Sequence, residues 1–152
     1  MSRVLGHPIA TIVIVFGVLM AGSSAAAQSS QPRPTSSDIQ AQVQKSAELQ
    51  RQALRILTDP ERAERLIGNA YANLQSAMSA MVINASGQKS PDPLLKLNES
   101  RMRDALTQLQ HASDTLRVVV RQRQEGTPPE YVDVVRNHIE QALRLTNGVF
   151  LL

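Results

Sequence analysis

Residues 59–81 read DPERAERLIGNAYANLQSAMSAM, the clearest helical signature in the chain. Asp59 is a natural N-cap, Pro60 suits the first helical position, and Glu61 and Glu64 favour the positive end of the helix dipole. Ala63, Leu66, Ile67, Ala70, Leu74, Ala77, Met78 and Met81 then fall on one side at about 100° per residue. A helix with one apolar stripe needs a partner to cover it.

The neighbouring segments repeat the design. Pro60, Pro91, Pro93, Pro128 and Pro129 all stand where one apolar pattern stops and the next begins. A proline inside a helix costs about 3 kcal/mol, so their exclusion from the intervening spans points to helices there. Helix one is expected from a Ser37 cap, with Gln40 reaching back, to about Leu57, burying Ile39, Val43, Ala47, Leu54 and Leu57. Gly87 is the expected stop of helix two, and Ser90–Pro93 resets the backbone. Helix three lines up Met102, Ala105, Leu106, Leu109, Ala112, Leu116, Val119 and Val120 and ends near Gly126, with Asn98–Ser100 a candidate interruption of its first turns. Helix four is expected to open on a capping box of Thr127 and Glu130 with Pro128 in the first turn. It buries Val132, Val135, Ile139, Ala142 and Leu143 and stops at Asn147-Gly148. With no strand-like alternation, four stripes and short connections predict an all-α, antiparallel up-down-up-down four-helix bundle over residues 38–152.

Ahead of the bundle, Arg3 precedes an apolar run from Ile9 to Met20, and Ala25 and Ala27 form the small-residue pattern of a signal-peptidase site. Residues 1–27 therefore read as a cleaved export signal, and Gln28–Ser37 as a disordered lead-in rich in Gln, Ser and Pro. The competing reading is a retained anchor, since Ile9–Ala27 approaches the ~20 residues that span a bilayer. Cleavage leaves no integral membrane segment, and a cysteine-free exported bundle suits a bacterial periplasm or secretion.

Composition narrows the chemistry. Zero cysteines among 152 residues exclude disulfides, thiolate metal sites and a cysteine nucleophile. No tryptophan and 3% aromatics leave little for base stacking, and a net charge of +3 is too mild to argue for nucleic acid. On the helical wheel His111 points to water and His138 sits on the border of helix four's core face. With no His-x-x-x-His or Glu-x-x-His spacing, no metal ligand set, cofactor or catalytic group is assigned. Met78, Met81 and Met102 should gather near the loop between helices two and three, where a small-ligand or haem carrier would hold its cargo. Asp38, His138 and a serine lack any positioning motif for a triad. Arg51, Arg62 and Arg136 border the apolar faces and Arg123 falls within one near its helix end; their stems cover the rim of the core, although a small secreted enzyme would use such arginines for anions. Arg117, Arg121, Arg123 and Arg136 share the other end with Asp114, Glu125, Glu130 and Asp133, a near balance.

One surface exceeds what a lone bundle requires. Tyr131, Val134, His138, Leu145 and Val149 form a second stripe on helix four, continued by Phe150, Leu151 and Leu152, and echoed on helix one by Leu49, Ala53 and Ile56. Either the stripes widen a core shared by helices one and four, or they dock on another exported protein or a second copy. Docking needs only the apolar surface seen, whereas catalysis needs converging polar groups, so the expectation is a non-enzymatic adaptor, accessory subunit or holding factor.

Overall fold

The computed structural model describes residues 33–86, 92–122 and 126–150. The expected export signal, Gly87, Arg123, Leu151 and Leu152 lie outside them. Four helices follow in chain order: α1 (Ser36–Arg55), α2 (Pro60–Ala85), α3 (Pro93–Arg121) and α4 (Pro129–Asn147). Each packs on its two neighbours, α1 also meeting α4, and among the described residues the diagonal pairs do not touch. The result is a four-helix bundle, as the stripes require. Among the described residues, no helix is long and apolar enough to cross a membrane.

The core is laid down at alternating spacings of three and four. On α2 Ala63, Ala70 and Ala77 alternate with Ile67, Leu74 and Met81, and on α3 Met102, Leu109 and Leu116 alternate with Ala105, Ala112 and Val119; all are buried. Large and small residues at successive layers let neighbouring helices interdigitate and approach closely. That closeness is visible where the Ser46 hydroxyl of α1 donates to the backbone carbonyl of Ala70 in α2 at 2.8 Å.

The helix ends correct several expectations. α1 begins two residues earlier than a Ser37 cap implies. Thr35 is its N-cap, accepting from the Asp38 amide at 3.1 Å while the Asp38 carboxylate accepts from the Thr35 amide at 2.9 Å and its hydroxyl at 2.7 Å. A carboxylate three residues after the cap closes the box better than Gln40, because a charged acceptor strengthens both bonds. α1 also ends at Arg55, with Ile56–Thr58 in the turn to α2. Asp59 does cap α2, accepting from the Arg62 amide at 3.1 Å. Asp92 caps α3 and Pro93 opens it; Asn98–Ser100 does not interrupt it, and it stops at Arg121 rather than near Gly126.

The capping box expected for α4 is absent. Pro128 occupies the N-cap position, Pro129 the first turn, and the buried Thr127 hydroxyl has no partner. Two consecutive prolines set the entry geometry through their fixed φ angles, which leaves no cap for Thr127 to make. Gly126 just before them adopts φ +74°, a left-handed conformation that a side chain would strain.

Candidate functional site

Five polar residues are buried among the apolar layers: Ser46, Gln50, Asn98, Ser113 and Thr146. None was recognised from apolar periodicity, yet Ser46 and Gln50 continue the spacing Ile39, Val43, Ser46, Gln50, Ala53, Leu57 along α1. The Gln50 amide donates to Ser46 and to Thr146 of α4, both at 3.1 Å, and Thr146 in turn donates to the Ala142 carbonyl at 2.8 Å. This polar cluster ties α4 to α1 and, through Ser46, to α2. The Gln50 carbonyl oxygen is buried without a partner.

The second polar cluster holds the end of the chain. Asn98 and Arg101 of α3 reach across to the residues that follow α4. Arg101 donates to the Gly148 carbonyl, satisfying one of the orphan acceptors of a helix C-terminus. The Asn98 amide donates to the Phe150 carbonyl at 2.6 Å, and its oxygen accepts from the Phe150 amide at 3.3 Å. A side chain at Gly148 would press on the Arg101 guanidinium, with only 3.4 Å of room.

The second stripe divides under this geometry. Val149 is buried, as are Leu49 and Ala53 of α1, while Leu145 and, just after α1, Ile56 pack half-buried against the core. Tyr131 is half-buried. Val134 and Phe150 remain exposed, Phe150 to 63%. Because Asn98 and Arg101 lie level with Phe150 and Gly148, the first turn of α3 reaches past the end of α4. Leu94 and Leu97, each four residues before one of them, lie on that turn; Leu94 is half-buried and Leu97 is 45% exposed. A cleft of about 180 Å³ opens here between Ser36, Ile39, Met81, Asn84, Leu94, Asn98 and Phe150.

The remaining candidates are dispersed. The Asp38 carboxylate serves the α1 cap. Met81 and Met102 are buried in the core and Met78 packs against it. Arg51 donates to Asn147 at 3.3 Å, Arg136 pairs with Asp133 at 2.6 Å, and Arg117 pairs with Glu64 of α2 at 3.0 Å. Arg62 and Arg121 are exposed. Such exposed pairs contribute little, about 0–1 kcal/mol each.

The two bundle histidines, treated separately on the wheel, come together across the α3–α4 seam. Their ring centroids are 5.4 Å apart, with the planes inclined by 38°. His138 Nδ1 lies 2.7 Å from the side-chain oxygen of Gln108 and donates to it. Burial, helped by His111, holds the His138 pKa below the ordinary histidine value. The wheel angles place each ring on its own helix but carry no vertical register between helices, so the pairing was not legible.

No protein-family model, curated protein or solved structure matches this chain.

Proposed function

We propose that this protein is an exported, non-enzymatic bundle that works by protein contact, through the end where α4 stops short. The observation that carries this is Phe150: its backbone is gripped from both sides by Asn98 while 63% of the residue faces solvent. An apolar side chain held on a fixed backbone binds with little ordering cost, and Leu94 and Leu95 of α3, which line the same cleft as Phe150, extend the apolar surface. The partner is a second exported protein or a second copy of the chain, as an adaptor, accessory subunit or holding factor requires. The 180 Å³ cleft beside Phe150 is smaller than the ~300–1,000 Å³ typical of small-molecule sites, which favours a protein partner over a small ligand at that end.

Phe150→Asp is the cleanest test, because Leu145 and Val149 pack against the core and their loss would disturb the fold. The variant should keep the parent's circular dichroism and melting temperature but lose self-association in sedimentation velocity, or the crosslinked adduct formed in the native compartment. Retention of both would overturn the proposal. Fractionation should place the mature chain, beginning at Gln28, outside the cytoplasm.

A further inference from the structure

The histidine pair carries an inference independent of the docking surface. We propose that His111 and His138 form a two-ligand, water-completed site for a divalent transition cation such as Zn²⁺. A Zn–N bond of ~2.0–2.1 Å, added to the ~1.1 Å from ring centre to nitrogen, puts the metal about 3.2 Å from each centroid. Two such nitrogens on one ion span at most ~6.4 Å between ring centres, and the observed 5.4 Å lies within that reach.

The surroundings are those of a ligating imidazole. Gln108 takes the Nδ1 proton of His138 at 2.7 Å, leaving the Nε2 lone pair bare and the ring oriented, the role that outer-shell partners play for metal-bound histidines. The ring of His111 makes no hydrogen bond to a described residue and is exposed, free to turn a nitrogen toward the same point. Asp114, one turn further along α3, is engaged by Gln110 at 2.9 Å and faces Arg117 at 3.9 Å. Among the described residues no third histidine or carboxylate joins the pair, so water fills the other positions and the site is open and exchangeable.

The experiment is a calorimetric titration of the purified chain with zinc sulfate at pH 7.5, alongside imidazole NMR. One equivalent should bind, shifting the resonances of His111 and His138. His111→Gln, on an exposed position that the fold does not need, should weaken binding at least tenfold, and His138→Ala likewise. Gln108→Leu should weaken it about tenfold, the low end for losing an outer-shell partner. Undiminished affinity in His111→Gln, or the absence of saturable uptake by the parent, would overturn the assignment.

Discussion

The side chain of Asn98 reads the backbone of Phe150 as a neighbouring strand would, donating to its carbonyl at 2.6 Å and accepting from its amide at 3.3 Å. Asn98 is 1% exposed, so neither bond is shared with bulk water. The residues after α4 are thereby part of the fold rather than an appendage to it.

Asn98→Ala should cost about 1–3 kcal/mol, the penalty for leaving buried polar groups unpaired. Urea denaturation measures it. Hydrogen exchange at the Phe150 amide should accelerate in the same variant, and an unchanged rate would show that the grip is not what holds the tail.

Gln50→Met is expected to be neutral or stabilising, within about 1 kcal/mol, despite removing two hydrogen bonds, one within α1 and one across to α4. Ser46 and Thr146 keep their donor bonds to the Ala70 and Ala142 carbonyls, and the variant deletes the one buried carbonyl oxygen of this cluster that nothing satisfies. A loss above 2 kcal/mol in urea denaturation would mean the amide contributes more than its bonding pattern implies.

Leu109→Ala, at a fully buried position in α3, should destabilise the bundle by about 2–5 kcal/mol through lost burial and a residual cavity. Val134→Ala, at an exposed position on α4, should stay within about 0.5 kcal/mol. Chemical denaturation of the pair tests the layer assignment directly.

Acidification should weaken the fold through His138. Its folded pKa lies below the unfolded value of 6.5, so the unfolded chain takes up the proton first. Stability is complete above pH 6.5, falls as pH drops through that value, and levels off below the lowered pKa. Asp38 acts in a separate window: hydrogen bonds from Thr35 depress its pKa from 3.8, so its contribution is lost only as pH falls below that value. Melting temperatures between pH 7.5 and 5 should therefore decline in the parent and be flatter in His138→Gln.

What could be read from sequence follows the physics of each feature. Stripes on α2 and α3 are continuous in apolar residues, so Ile67, Leu74, Leu109 and Leu116 were found in their places. On α1 and the turn after it, Ile39, Val43, Ala47 and Leu57 were likewise found buried and Leu54 packs against the core, but a search for apolar side chains passes over Ser46 and Gln50, which occupy core layers. Proline positions marked the boundaries, but the cap of α1 turned on whether Thr35–Asp38 or Ser37–Gln40 made the stronger reciprocal pair. The grip on Phe150 and the meeting of His111 with His138 depend on how far one helix slides against another. Periodicity within a single helix contains no such information, and only the sequence separation of 52 between Asn98 and Phe150 hints at how distant the partners are.

The ring of helices is closed by a tether between residues 96 positions apart, Gln50 and Thr146. Every other seam joins consecutive helices and can zip from its own hairpin, so this closure comes last in folding and its loosening first in unfolding. Greasy surfaces would tolerate a slip of one turn at that final join; an amide seeking two hydroxyls does not. The hydrophilic knot is thus a latch that selects alignment more than it adds stability.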